Sequence, residues 1–456
     1  MKSAVLHTAG TAAAVRSSAE RPAAQSQEWD FSDDLEDLRS VYDRTRAPIA
    51  TNFRKLVSLH SGVDRYSHLL HAYPAKLLLN IPLFFLNCRQ FSKGILYDPF
   101  CGSGTVLLEG LLAGWSVGGA DANPLARLIT AVKLSHIDII EIEAAFGLII
   151  ERYQTAKPAP FSPIVDVNRW FSSDAQNQIG RLSTAIDSVK CPNVSAFFKV
   201  CLSACLRRSS YVDPRLSVPV RVKEQSEEFR RAERPDVVGD FGRTVFVNMR
   251  RLRRLHGANA DHLTRFPLFS DARAIEAPPG RLVDLIVTSP PYVGAQKYVR
   301  ASSLSLGWLG LAPNDQLRPL ERLNIGREHY PKQDYVDLAL PEDCDASSAL
   351  KRIWELNRLR AHIAANYLIE MAAALRAAVR CLSPEGHLIL VIGNNTICGE
   401  EFDTRLYLTQ IAVKAGLQLE LELEDDIRSR GLMTKRNVTA GMINREHILV
   451  LRRLGK

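Results

Sequence analysis

The stretch GILYDPFCGSGTVLLEGLLAGW, Gly94 to Trp115, changes character twice. A short apolar run reads as a buried strand that stops at Asp98; the chain then turns on Gly102 and Gly104 and enters a helix rich in Ala, Leu and Gly. Glycines let the backbone approach a ligand closely, and a helix N-terminus offers N–H groups and the positive end of a dipole. Alone, such a turn is a weak signal. A P-loop requires GxxxxGK[ST], and no lysine follows Gly104; a dinucleotide fingerprint requires a third glycine where Leu107 stands.

Two further strands of the same kind lie outward from it. WSVGGADANP, around Val117, ends at Asp121, and LVDLIVTSPPY, around Ile286, ends in Ser289, Pro290, Pro291 and Tyr292. A fourth, GHLILVIGNN (Gly386 to Asn395), follows a helical pattern running from about Leu359 to Leu382. Strands alternating with helices predict an α/β fold, a mostly parallel sheet covered on both faces, with ligands at the strand C-terminal ends. EHILVLRR (Glu446 to Arg453) reads as a last strand and LQLELELEDDI (Leu417 to Ile427) as its half-exposed neighbour, an antiparallel pair at the sheet edge. Residues 135–262 interrupt the alternation and read as an inserted helical lobe. The expected segments are a disordered tail over 1–30, the first part of the catalytic domain over 31–134, the lobe, a core piece over 263–310, a surface insertion or lid over 311–357, and the rest of the catalytic domain over 358–456.

The strand ends carry the candidate chemistry. Asp121 stands where an acidic side chain accepts hydrogen bonds from ribose hydroxyls, although a turn or helix-capping aspartate before Asn123 and Pro124 reads equally well. Asp271 follows the short apolar run in LFSDARAI; it could accept an adenine amino hydrogen, or simply cap a helix. Two consecutive prolines fix two φ angles, remove two N–H donors and leave carbonyls facing a cleft. Ser289 adds an acceptor oxygen and Tyr292 a stacking face, a combination suited to a planar base with an exocyclic amino group.

DPFCGSGT together with TSPPY resembles the amino-group DNA methyltransferases, in the SPPY form typical of the cytosine-N4 branch. YSHLLHAYPAKLLLNIP (Tyr66 to Pro82), YVRASSLSLGWLG (Tyr298 to Gly310) and the later strands are similar to the family's as well, so that about 220 residues match in strips. The resemblance implies a Rossmann-like class I methyltransferase sheet of seven strands with an antiparallel last strand, and S-adenosylmethionine as cofactor. It implies that Tyr73, Asp98, Pro99, Phe100, Gly102, Gly104, Thr105, Asp121, Asn123, Asp271 and Ala272 surround the cofactor. Ser289, Pro290, Pro291 and Tyr292 would hold the target base, which must leave the duplex to be reached.

Lys and Arg exceed Asp and Glu by 58 to 50, and thirteen basic against seven acidic residues fall between Arg207 and Arg254. This concentration points to nucleic acid, with Arg207, Arg208, Arg250, Arg251, Arg253, Arg254 and Arg300 as phosphate contacts to double-stranded DNA. Eight cysteines without CxxC pairs or zinc-finger histidines indicate neither a disulfide framework nor a structural metal, and suit a reducing cytosol; the resemblance implies a bacterial cytoplasmic protein at the nucleoid. LLLNIPLFFLN (Leu77 to Asn87) is too short to span a bilayer and reads as a buried amphipathic helix. The Ala-, Ser- and Arg-rich start could pass for a transit peptide but reads better as a disordered tail.

Cytosine-C5 chemistry needs a nucleophilic cysteine, usually after proline, and the chain has no Pro-Cys pair; Cys101 reads as a small packing residue and His68 and His71 as packing or capping residues. Adenine-N6 transfer in DNA, amino-group transfer to RNA, and a catalytically inactive nucleic-acid binder are the competing functions. A restriction endonuclease of the same specificity would be a partner without a stable complex.

Overall fold

A computed structural model describes residues 29–59, 66–74, 76–256, 262–294, 298–427 and 443–455; most of the expected N-terminal tail lies outside them. Three helices, Ser32–Thr45 (α1), Phe53–Leu56 (α2) and Asn80–Leu86 (α3), precede the glycine-rich turn, with the two-residue strand Ile49–Ala50 (β1) between the first two. The expected amphipathic helix in LLLNIPLFFLN is instead buried on every side: all seven residues of α3 are buried, and Phe84 and Phe85 meet at 90°. Six of its seven residues are apolar, and the one polar side chain, Asn80, donates to the Val57 carbonyl at 2.7 Å, so no polar face turns outward.

The central strands follow as anticipated: Ile95–Asp98 (β2), Ser116–Ala120 (β3), Arg265–Phe269 (β4), Val283–Thr288 (β5), Leu382–Ile392 (β6), Leu417–Asp426 (β9) and Arg445–Arg453 (β10). With β1 they form one sheet in the order β1-β9-β10-β6-β5-β2-β3-β4. Only β10 runs against its neighbours, between β6 and β9, while β1 pairs parallel to β9. The sheet therefore has eight strands, one more than expected. β1 was invisible to periodicity because two residues show no alternation. The expected antiparallel hairpin forms, but β10 sits inside the sheet and β9 lies beyond it. Asn395–Ile397 (β7) and Glu400–Phe402 (β8) form a separate antiparallel pair.

Successive side chains along the central strands enter different cores. In β6, Leu388, Leu390 and Ile392 pack under Ser347–Leu356 (α13), Arg358–Cys381 (α14) and Thr404–Lys414 (α15), whereas Ile389 and Val391 join α3 and Thr105–Leu112 (α4) on the opposite face. This is the period-2 consequence of a sheet buried on both sides. The anticipated long helix matches α14. Part of the expected surface insertion is not surface at all, because Ala349, Leu350 and Ile353 of α13 are buried against α14.

A third core belongs to the helices between β3 and β4. Pro124–Leu134 (α5) follows β3, and Ile139–Tyr153 (α6), Ser173–Asp187 (α7), Pro192–Leu206 (α8), Glu227–Glu233 (α9) and Val237–His256 (α10) come next. The apolar faces of α6, α7, α8 and α10 share one cluster with α5 and with Tyr298–Trp308 (α11), the helix after SPPY. These helices therefore rest on the two elements that flank the strand ends. Arg318–Leu323 (α12) lies in the segment after α11.

Leu390 is fully buried in the middle of β6. Leu390→Ala should cost about 2–5 kcal/mol of unfolding free energy, read by urea denaturation. A loss below about 1 kcal/mol would mean that the sheet face is not closed there.

Candidate active site

Parallel pairing of β2 with β5, Leu96 opposite Leu285 and Tyr97 opposite Ile286, brings the two motif-bearing strand ends side by side. The contact between them is direct. Thr288 Oγ1 donates to Asp98 Oδ1 at 2.6 Å, and the same oxygen accepts the Phe100 N–H at 3.0 Å. Asp98 is buried, and desolvation pushes its carboxyl up to about 7 despite these two donors.

Gly102 and Gly104 have φ of +50° and +75°, values that glycine adopts without strain. A Cβ at Gly104 would lie 2.8 Å from the Thr130 side chain, so α5 leaves no room for one. The turn is then fastened from two sides. Gly102 N–H donates to Asp121 Oδ2 at 2.9 Å, and the buried Lys133 ammonium donates to the Ser103 carbonyl at 2.6 Å. Asp121 Oδ1 accepts the Asn123 N–H at 2.8 Å, and burial raises its carboxyl to about 6 against the pull of those two N–H donors. Asn123, itself buried, caps α5 and donates to the Tyr73 hydroxyl (3.2 Å) and to Ser302 Oγ on α11 (2.9 Å).

One cavity of about 70 Å³ unites these parts, with Tyr73, Pro99, Phe100, Gly102, Asp121, Ala122, Asp271, Ala272, Ser289 and Pro291 in its wall. Asp98, Gly104, Thr105 and Asn123 stand behind that wall rather than in it, as do Pro290 and Tyr292. The Ser289 hydroxyl has no hydrogen-bond partner among the described residues. Tyr292 donates its hydroxyl to Glu446 Oε1 on β10 at 3.0 Å, and burial raises the Glu446 carboxyl. No sequence pattern singles out Glu446; its strand pairs with β6 and reaches the SPPY turn only through the fold.

The donor set fits a cofactor with a ribose, an adenine and a cationic amino-acid end. The volume does not, since small-molecule sites hold roughly 300–1,000 Å³. Tyr298 and, in a strap at the end of α12, Leu323, Asn324 and Ile325 complete the wall of the cavity. Charge holds the strap down. Arg273 makes paired contacts to both oxygens of Asp271, reaches Glu370 on α14 at 3.3 Å and donates to the Leu323 carbonyl at 3.4 Å, while Arg327 meets Glu370 at 2.5 Å. Asp271 also caps the short turn Ala272–Ala274, as the plainer reading of the sequence had it. Gly326, at φ +79°, lies against the SPPY turn, where a Cβ would sit 3.0 Å from the Tyr292 carbonyl.

The arginines expected to meet nucleic acid have divided fates. Arg207 spends its guanidinium on the carbonyls of Asp213, Leu216 and Ser217, and Arg251 on the Leu69 carbonyl and Asn248 Oδ1. Both are therefore braces of the helical segment, a correction to the charge-run argument, which cannot distinguish a brace from a solvated face. Arg208, Arg250, Arg253 and Arg254 are exposed, with Arg208 on Thr244 and Arg253 3.7 Å from Glu143. Arg300 is exposed on α11. His68 and His71 act as buried links, to Glu109 at 2.6 Å and Ser203 at 2.8 Å, and Cys101 is a buried packing residue. No helix among the described residues is long and apolar enough to cross a membrane.

Asp98 and Asp121 both titrate above the ordinary carboxylate range, which fixes two signs. Their contribution to stability is fully present below about pH 4 and is lost as pH rises through about 6 and 7. A cationic cofactor favours the ionised carboxylates, so its affinity should rise over the same interval and its binding should release protons. Titration calorimetry with S-adenosylmethionine between pH 5.5 and 8 reads both. An affinity independent of pH would separate these carboxylates from cofactor binding.

No family model matches the chain. It is similar to the type II methyltransferase M.MvaI of Kocuria varians, 23% identical over 398 residues, which covers 82% of this chain and 87% of that protein. It is also similar to the type II methyltransferase M.MjaII of Methanocaldococcus jannaschii, 36% identical over 80 residues, 17% of this chain and 15% of that one. Among solved structures, the rRNA methyltransferase aviRa of Streptomyces viridochromogenes reaches a TM-score of 0.31 at 11% identity, covering 88% of this chain and 96% of that one, too low to carry an argument. Together with the strand order and the motifs at its strand ends, the similarity to type II methyltransferases identifies the chain as a methyltransferase whose cofactor is S-adenosylmethionine.

Proposed function

We propose that the protein transfers a methyl group to the exocyclic N4 amino group of a cytosine extruded from a specific sequence in double-stranded DNA. The observation that supports this most is the common wall, because Ser289 and Pro291 border the same cavity as Gly102 and Asp121. Cofactor residues and target residues are thus neighbours across one small space. The SPPY form of the turn favours cytosine over adenine.

S-adenosylmethionine, when bound, supplies an electrophilic methyl on a sulfonium. Asp121 would accept from its ribose, Asp271 and Ala272 would border its adenine, and Tyr73, Pro99, Phe100, Gly102, Gly104 and Thr105 would shape its methionine end, with Asp98 and Asn123 behind them. The nitrogen of a cytosine amino group is a poor nucleophile because its lone pair is delocalised into the ring. The open Ser289 hydroxyl and the Pro290 carbonyl would accept its two hydrogens, favouring a pyramidal nitrogen whose lone pair is free to attack. Tyr292, steadied by Glu446, would stack on the base, which must be flipped because the duplex hides the amino group. We assign target recognition to the helical segment 135–262, with Arg208, Arg250, Arg253 and Arg254 on DNA phosphates. The same role would suit a restriction-modification pair or a solitary modification enzyme.

Label transferred from tritiated S-adenosylmethionine to duplex DNA should appear, after digestion to nucleosides, as N4-methyldeoxycytidine. Label in N6-methyldeoxyadenosine, or incorporation into RNA alone, would overturn the assignment. Ser289→Ala should keep cofactor affinity while lowering turnover by about 100-fold, the typical loss of one positioned hydrogen bond at a reacting centre. Unchanged turnover would remove Ser289 from the chemistry.

A further inference from the structure

Next to the closed cofactor cavity lies a much larger one of about 570 Å³, bounded by α11, α12 and the chain from Asn324 to Pro331. The two share Tyr298 and Asn324 in their walls. Its size falls within the range of sites that take a nucleotide-sized ligand.

Four arginines face it, and only one is committed elsewhere. Arg327 is held by Glu370 at 2.5 Å and lies over the Tyr330 ring at 4.5 Å. Arg300, Arg318 and Arg322 are exposed and make no ion pair or side-chain hydrogen bond among the described residues. Arg318 and Arg322 are one helical turn apart on α12, which puts both guanidinium groups on the same side of that helix. Against them stand Glu321 and Glu328, and Glu328 already lies 3.6 Å from Arg360. The balance is positive. The guanidinium forks are suited to phosphate oxygens.

We propose that this cavity receives the sugar-phosphate of the target nucleotide, with Arg300, Arg318 and Arg322 as its phosphate ligands. The inference rests on the nucleic-acid reading above but assigns the contacts to a segment distinct from the basic helices of 135–262. It also gives the strap a second face. Asn324 lines both cavities, so a target strand settling on α12 acts on the same segment that covers the cofactor.

The test is the salt dependence of binding of a fluorescein-labelled duplex to the full chain, wild type against R318Q/R322Q, between 50 and 200 mM salt. Each phosphate contact contributes about one to the slope of log affinity against log salt, so the double variant should be shallower by about two. A control variant, R44Q/R46Q at the end of α1, removes equal charge from the helix that packs on β9 and should leave the slope as it was. Calorimetry with S-adenosylmethionine checks that the double variant keeps its fold and cofactor site. An unchanged slope in R318Q/R322Q, or an equal fall in both variants, would overturn the phosphate site while leaving the methylation reading intact. Failure of the wild-type protein to bind the duplex would overturn that reading and this proposal with it.

Discussion

The hydrogen bond from Thr288 to Asp98 ties the two halves of the site together. Asp98 closes the strand that leads into the glycine turn, Thr288 closes the strand that leads into SPPY, and parallel pairing of β2 with β5 makes them neighbours. A hydrogen bond to a charged group is worth about 1.5–3 kcal/mol, and a buried carboxylate without its donors would neutralise or drive the strand ends apart. The residues that must be in register across the site are attached within four residues of this bond: Phe100 and Gly102 on one side, Ser289 and Pro290 on the other.

The remaining electrostatics tie the strap to the core. Desolvation makes Asp98 and Asp121 weak acids, and each is satisfied by donors from the chain itself. Above the cavity, Glu370 joins Arg273 and Arg327, and through Arg273 the strap carbonyl at Leu323. A ligand that supplies positive charge to the carboxylates competes with none of these cations directly. The strap packs closely on the target turn, since a Cβ at Gly326 would lie 3.0 Å from the Tyr292 carbonyl.

Much of the fold was legible because its strands are buried on both faces and end in turn residues, a pattern that survives without any partner information. β2, β3, β5, β6 and α14 follow directly from GILYDPF, WSVGGAD, LVDLIVT, GHLILVI and the helical run before it. What could not be read was whatever depends on distance along the chain. Thr288 is an ordinary strand residue until β2 lies beside it, and Glu446 is an ordinary charged residue until Tyr292 reaches it. Arg207 and Arg251 read as nucleic-acid contacts because a charge run has the same sequence whether its members face solvent or bind backbone carbonyls. The strap beside the cavity was legible only as part of a surface insertion or lid over 311–357, and the pairing of Arg273 with Asp271 and Glu370 had no signal at all.

If the Thr288–Asp98 bond holds the two strand ends in register for catalysis, the pH–rate profile of Thr288→Val reads its effect. The hydroxyl holds the Asp98 carboxyl down, so its removal should move the acid limb of turnover to higher pH. Turnover at the plateau should also fall by roughly 100-fold from lost alignment while affinity for cofactor and DNA changes little, and Thr288→Ser should restore both. A valine variant with wild-type turnover and an unmoved acid limb would contradict the account.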